Sequence, residues 1–374
     1  MWDRIVIMAG CVLMLANSDL SAQSMEMKAS GRFILGTHKE RTASVASGDI
    51  DGDGDNDIIV ANGRHWPGQN RIFLNDGRGI FTVEKDLGEQ RSTTYAAELG
   101  DLDKDGDLDI VVGNDMAPNY VYKNDGKGNF LRSASFGMEY APTRNISLAD
   151  LDQDGDLDIL ITNRGRANEI CLNDGKGNFI KKLSFGNKED STIAVRVADM
   201  NNDGYPDLVL ANRDSQSNYV YLSDGKLDFS RKIPFGTGTD NTRALSIADL
   251  NKDGLQDIIV ANIGEVNAVY FGSKTAPYTT SVVFDPSEMD SYAVSVADLD
   301  LDNDDDIIVG NSGSANVIFW NLGDGLNWNS TTLFDEAFHT YDIIASDLNN
   351  DGFIDIIEAN SDEINRYYFT QKKK

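Results

Sequence analysis

The sequence predicts an all-β fold, a seven-bladed β-propeller of four-stranded antiparallel blades, on three observations. A nine-residue acidic pattern begins at Asp49, Asp101, Asp150, Asp199, Asp249, Asp298 and Asp347, at intervals of 49 to 52 residues. Each copy runs directly into an aliphatic stretch, as Asp57 does into Ile58-Ile59-Val60. Constant asparagines then punctuate the unit: Asn62, Asn114, Asn163, Asn212, Asn262, Asn311 and Asn360 end that stretch, and Asn70, Asn119, Asn168, Asn218, Asn267, Asn316 and Asn365 open the next. A period of this length, too long for helical repeats, suits a unit of strands that buries its faces on its neighbours.

The third unit shows the four strands in order. Thr143 to Ala149 alternates apolar and polar residues, as a half-buried strand does. After the acidic loop Asp150 to Asp158, Ile159-Leu160-Ile161-Thr162 is nearly all apolar and is expected to be covered on both faces. A short loop leads to a third strand, Glu169 to Leu172. Asn173-Asp174-Gly175-Lys176-Gly177 then makes a tight hairpin, because Asn, Asp and Gly tolerate positive φ. A fourth strand runs from Asn178 to Phe185-Gly186, and an apolar residue followed by Gly or Asp closes that strand in every unit. Four antiparallel strands make one propeller blade.

The chain ends explain each other. The seventh unit stops after its third strand, Arg366 to Phe369, while Gly31 to Gly36 reads as a fourth strand with no unit of its own. The N-terminal strand is therefore expected to complete the last blade and close the ring, which removes two exposed edges. The trailing Lys372-Lys373-Lys374 is expected to be a solvated tail. Residues 1–22 read as a secretory signal peptide: Arg4, then an apolar stretch from Ile5 to Ala16, then Ala22 before Gln23. That stretch is too short to span a bilayer, so no transmembrane segment is expected and the protein is expected to be secreted, extracellular, or periplasmic if bacterial. Residues 23–374 form one propeller domain, expected to be a monomer. After cleavage only Cys171 remains, at a strand position held elsewhere by Phe73, Tyr122, Tyr221, Tyr270 and Phe319, which points to a buried apolar role.

The formal charge of -28 is concentrated rather than spread: the seven acidic stretches hold 30 of the 61 carboxylates. A nucleic-acid partner is excluded by the lack of basic stripes. Two carboxylates ~4 Å apart repel by about 4 kcal/mol at an effective dielectric near 20, so four or five converging on one point need a cation. A hard cation such as Ca2+ takes oxygens supplied on alternate residues around a sharp turn. Besides the seven first positions, the candidate ligands are position three (Asp51, Asp103, Asp152, Asn201, Asn251, Asp300, Asn349), position five (Asp53, Asp105, Asp154, Asp203, Asp253, Asp302, Asp351) and position nine (Asp57, Asp109, Asp158, Asp207, Asp257, Asp306, Asp355). Position six is Gly except at Asn303, the next best residue for positive φ. Position seven varies widely, as it can if only its carbonyl binds. An EF-hand is excluded, because the twelfth position is apolar and within a strand in six loops, Val60, Val112, Ile161, Leu210, Val260 and Val309. Up to seven Ca2+ are expected. The loops with Asn201, Asn251 and Asn349 carry one charge fewer and are expected to bind more weakly.

With its acidic loops, its [FL]-G strand ends and its Asn-Asp-Gly hairpins, the chain from residue 31 to 370 resembles the FG-GAP and VCBS repeat family, which includes the integrin α-chain propeller. The resemblance implies a seven-bladed propeller whose loops bind Ca2+ through positions one, three, five and nine. The sequence departs from it in Asn303 and in having an acidic loop in all seven units. Relatives include adhesion modules, lectins and polysaccharide lyases, so the resemblance leaves the activity open.

Acidic loops between strands one and two lie on one face of the disc, so the ligand is sought on the other. There Arg64, His65 and Trp66 sit in a first two-to-three loop longer than its counterparts, and Tyr95, Arg144, Arg243, Tyr292 and Tyr341 stand one residue inside a nearly constant Thr or Ser, with His339 near. Exposed aromatic and Arg residues on a rigid face suit recognition of a glycan or protein. The leading expectation is a calcium-binding adhesion or carbohydrate-binding module without enzyme activity. The alternative is a polysaccharide lyase, with Arg neutralising a uronate carboxylate and Tyr or His moving the proton α to it.

Overall fold

The computed structural model describes residues 25–373, so the secretory segment read at residues 1–22 lies outside the described residues. The fold is all-β, and among the described residues no helix is long and apolar enough to cross a membrane. Repeated four-stranded antiparallel blades carry it. In the third, Thr143–Ala149, Asp158–Asn163, Asn168–Leu172 and Lys181–Phe185 pair in that order. The second strand is buried along its whole length in the first five units, and over its first six residues in the sixth and seventh. It must be, because neighbouring blades cover both of its faces. The fourth strand is shorter than expected: residues 178–180 remain irregular, because the hairpin asparagine and aspartate hold the chain by local hydrogen bonds.

Apolar layers fill the gaps between consecutive blades. Ile159, Ile161 and Cys171 of the third pack on Val111 and Val121 of the second, and Leu160, Ile170 and Leu172 pack on Leu208, Leu210 and Tyr221 of the fourth. Cys171 is fully buried and its thiol is pushed up to about 11 by that burial, which leaves it inert. A like layer joins Val45, Ile58, Val60 and Phe73 to Leu348, Ile357, Ala359 and Phe369.

The N-terminal residues differ from expectation in detail. Two pieces, not one strand, lie against the last unit: Met25–Lys28 pairs with Phe369–Lys372, and Ile34-Leu35 pairs with Asn365-Arg366. Between them the chain turns, with Phe33 N–H donating to the Ser30 carbonyl at 3.0 Å. Phe33 packs its ring on Tyr367 and Phe369, at centroid distances of 5.4 and 4.8 Å, so the break in pairing is bridged by apolar contact. Lys372, expected in a free tail, belongs to the strand that Met25 pairs.

Candidate metal loops and the opposite face

Every acidic loop is wrapped around its first aspartate. In six loops the backbone N–H groups of positions five and six donate to the two oxygens of position one, at 3.1 and 2.9 Å in the Asp150 loop and 3.0 and 2.7 Å in the Asp199 loop, whereas in the Asp347 loop only position six does so and the Asp351 N–H donates to Asn349 at 3.0 Å. The wrap needs two left-handed residues. Position six supplies one, at φ 69° for Asn303 and 81° to 94° for the glycines. Position four supplies the other, at Gly52, Lys104, Gln153, Asn202, Lys252, Leu301 and Asn350. Sequence reasoning missed position four, which is polar in five of the seven loops but Gly52 and Leu301 in the others. Its side chain reaches the following loop: Lys104 pairs with Asp156 and Lys252 with Asp304, Gln153 donates to the Gly204 carbonyl at 2.7 Å, and Asn350 to Asp55 at 2.6 Å.

Position nine is a buried clamp. In the first loop Asp57 accepts the Ile50 N–H at 3.0 Å on one oxygen and the Asn75 N–H at 2.8 Å on the other, and the same two bonds recur at Asp109, Asp158, Asp207, Asp257, Asp306 and Asp355. Burial pushes Asp57, Asp109, Asp158, Asp207 and Asp257 up to about 6, Asp355 to about 7 and Asp306 to about 8. The hairpin asparagines, read from sequence as plain turns, are clips between blades. Asn124 donates to the Ile50 carbonyl at 2.7 Å and Asn173 to that of Leu102 at 2.8 Å; where Gly272 replaces the Asn, the Tyr278 hydroxyl reaches the Met200 carbonyl at 3.3 Å.

Several of these loops could hold a metal ion. Asp49, Asp51 and Asp53, then Asp101, Asp103 and Asp105, then Asp150, Asp152 and Asp158, and Asp298, Asp300 and Asp302 each bring three carboxylate oxygens within 4.8 Å of one another. These are the loops with Asp at position three. One oxygen of Asp51, Asp103 and Asp300 is buried with no hydrogen-bond partner, as a group poised for a cation would be. In two loops with Asn the site is internally satisfied: Asn201 donates to the Asp203 carboxylate at 2.9 Å, and Asn251 to that of Asp253 at 3.4 Å. The seventh loop does have an acid at its twelfth position, Glu358, but that group is bonded away from the loop to Asn316 at 2.6 Å and to the Tyr368 hydroxyl at 3.0 Å.

The opposite end of the strands carries a different chemistry. Tyr95, Arg144, Arg243, Tyr292 and Tyr341 line one cavity together with Ala43 and Ile193, the residues at the same strand position in the first and fourth units. Below it, a channel of about 590 Å3 is lined by small and apolar residues with Glu98, Arg196 and Asp342. The arginines lie on tyrosine faces: Arg64 is 3.8 Å above the Tyr341 ring and Arg144 4.2 Å above that of Tyr95, and Tyr292 stacks on Tyr341 at 4.7 Å. His65 meets the Tyr95 hydroxyl at 2.8 Å and approaches Asp115 to 3.5 Å; Asp115 also accepts from Arg144 at 2.8 Å. Desolvation together with Arg64 and Arg144 holds His65 below its ordinary value, which favours the neutral imidazole. Trp66 is exposed and His339 stands apart, bonded to Ser312 at 2.9 Å. Sequence reasoning missed Asp115, Arg213 and the channel trio of Glu98, Arg196 and Asp342. All but Arg213, which matches Arg164 of the third unit, depart from their counterparts in the other units, which was the available signal.

Comparison with known proteins accords with this architecture. The model of the FG-GAP-like repeat matches residues 49–112, 101–161, 150–210, 199–260, 249–309 and 298–358, each span running from one acidic loop to the strand after the next. No curated protein matches the sequence. Similar solved structures include BBS1N in complex with ARL6DN, at 13% identity and TM-score 0.65 over 93% of this chain and 98% of that one. An Agrocybe aegerita lectin with specific recognition of non-reducing terminal N-acetylglucosamine is 20% identical, at TM-score 0.58 over 79% and 81%. The WD40 β-propeller domain of Doa1 is 15% identical, at TM-score 0.61 over 94% and 98%. Likenesses at these identities show the fold alone.

Proposed function

This chain belongs to the FG-GAP-like repeat family, and on that premise we propose that it is a secreted, monomeric, calcium-stabilised binding module, a closed seven-bladed propeller over residues 23–374. The support for closure is that the N-terminal residues pair with the seventh unit as a fourth strand would, and that the first and last units share an apolar layer. For calcium, the observation that carries the reading is the unpartnered buried oxygen of Asp51, Asp103 and Asp300. Positions one, three, five and nine would hold the ion. Oxygen-only donors on a loop fit Ca2+ better than a metal that prefers nitrogen or sulfur. Bound there, the ion would cross-link the start and end of each loop and remove the repulsion among its carboxylates.

The ligand, a glycan or a protein, would bind the face opposite the acidic loops, at Arg64, His65, Trp66, Tyr95, Arg144, Arg243, Tyr292, His339 and Tyr341. What supports this is the convergence of five of them on one cavity around a rigid rim. A glycan array and a peptide display selection, both run on the calcium-loaded protein, test the reading. Binding by neither would overturn it.

The lyase alternative rests on the Tyr95–His65 contact beside Arg144. Burial raises the Tyr95 hydroxyl above its ordinary value, the wrong direction for a base at neutral pH, and this favours the binding module. Absorbance at ~235 nm from unsaturated uronates in a polysaccharide digest would reverse that preference.

A further inference from the structure

The channel mouth carries an imbalance of charge that narrows the ligand, an inference that rests on the binding-module reading above. Arg144 is neutralised by Asp115, and Arg64 donates to the Ser361 hydroxyl at 3.0 Å. Arg243, by contrast, makes no ion pair or side-chain hydrogen bond among the described residues, although it lines the cavity. Arg213, from the neighbouring unit, leaves a buried Nε without a partner. Burial first, and then the nearby charge of Arg213, weakens Arg243's hold on its proton, with Asp342 acting in the opposite direction. Asp342, which lines the mouth as well as the channel and is the acid that acts on Arg243, forms no ion pair with it and is engaged instead by the N–H groups of Val45 at 3.1 Å and Ile343 at 3.0 Å.

A desolvated guanidinium with no ion-pair partner in contact is costly, and a carboxylate accepting from its planar fork offsets that cost. The cavity at the mouth measures about 60 Å3, room for a carboxylate head and a few waters but not for a sugar ring. Sugar hydroxyls need acceptors as well as donors. The mouth offers Arg and Tyr donors, and its acceptors are largely taken: Glu98 and Asp342 also line it, but Asp342 accepts from two backbone N–H groups, Glu98 stands beside Arg196, and both oxygens of Asp115 already face Arg144 and His65.

The surroundings favour a protein as the source of that carboxylate. Trp66, Met116 and Tyr140 are 65%, 56% and 57% exposed. Their loops adjoin, since His65 approaches Asp115, and the Met116 N–H donates to the Ala141 carbonyl at 2.9 Å. Met116 sits at φ 54° where other units have Gly165, Gly264 or Gly313, and Tyr140 at φ 58°. Large side chains are thus held outward in a conformation that costs them energy. Exposed Trp, Tyr, Met and Arg together are the composition of protein-interface centres.

We propose that this mouth receives an acidic side chain, Asp or Glu, from a partner protein, its carboxylate set against Arg243 with Arg213 beside it, while apolar neighbours in the partner cover Trp66, Met116 and Tyr140.

Selection from a random dodecapeptide display library on the calcium-loaded full chain tests this. Enriched peptides should share one Asp or Glu. Changing that residue to its amide in a synthetic peptide should weaken binding by roughly tenfold or more, and R243M and R213M should do the same to the unchanged peptide without lowering the melting temperature. Because the amide exchange is made in the peptide, the result does not depend on how a variant folds. Enriched peptides with no shared acid, or an amide exchange without effect, would overturn the inference and leave the binding module standing. Binding confined to uronate oligosaccharides on a parallel array would overturn the choice of a protein partner. No binding on either platform would defeat both readings.

Discussion

Asn365 donates from Nδ2 to the Thr42 hydroxyl at 3.1 Å, across 323 residues of sequence. The same bond recurs between neighbouring units, from Asn70 to Thr94 at 2.9 Å, Asn168 to Thr192 at 3.1 Å and Asn218 to Thr242 at 2.8 Å. Each Thr passes the chain on: Thr42 donates to the Asn62 side chain at 2.8 Å, and the Asn62 N–H donates to Asn70 at 2.8 Å. Both constant asparagines and the Thr, replaced by Ser291 in the sixth unit, are therefore one buried relay that ties a unit to the next, and the pair Asn365–Thr42 applies it to the last and the first.

If that junction matches the others in solution, Asn365→Ala and Asn168→Ala should destabilise alike. Each leaves a buried Thr and a backbone N–H short of a partner, a loss of about 1–3 kcal/mol. Denaturant midpoints measure it. A loss at Asn168 with none at Asn365 would mean that the first and last units part in solution.

Removing residues 25–36 should expose Tyr367 and Phe369 and leave an unpaired strand edge. Size-exclusion chromatography of the truncated protein should show association and calorimetry a lower melting temperature. A monomer with unchanged melting would refute this.

Calcium titration of the chelated protein should reveal two affinity classes, the weaker comprising the loops that start at Asp199, Asp249 and Asp347. Asn251→Asp should move its loop to the tighter class, and Asp103→Asn should move its loop to the weaker one, because the exchange adds or removes a carboxylate at position three. Isothermal titration showing one or two sites in all would contradict the assignment.

Chelation should lower the melting temperature strongly at pH 8 and less at pH 5. Burial raises Asp57 and its counterparts from 3.8 to between about 6 and 8, so the metal-free fold favours the protonated acids. Their contribution is present below about pH 4 and is lost as pH rises through 6 to 8, whereas calcium needs the ionised form. Tenfold saturation of one site contributes about 1.4 kcal/mol, and seven sites together on the order of 10 kcal/mol. Equal melting in chelator and in millimolar calcium at pH 8 would show the loops to be acidic turns only.

Met116→Gly should leave stability unchanged or raise it by up to ~1 kcal/mol, since Gly adopts the left-handed conformation freely and its added unfolded-state entropy offsets part of the gain. A peptide selected on the native protein should bind the variant more weakly. A marked fall in melting temperature would mean that Met116 packs as core.

The repeat, its four strands, the burial of the second strand and the convergence of acids in the four loops with Asp at position three were legible in the sequence. Each rests on residues within one unit, and seven copies made the pattern unmistakable. Even the ring of Tyr95, Arg144, Arg243, Tyr292 and Tyr341 could be read, because one register position in every first strand points to the same axis. What only the tertiary structure decided lies between units. The left-handed position four and its reach to the next loop, the hairpin Asn as a clip, the two-piece N-terminal strand, and the pairing of Arg144 with Asp115 while Arg243 stands alone all depend on which neighbour each side chain meets. A periodic sequence states what every unit does for itself; the distances that leave one guanidinium paired and another bare arise only when the units are packed side by side.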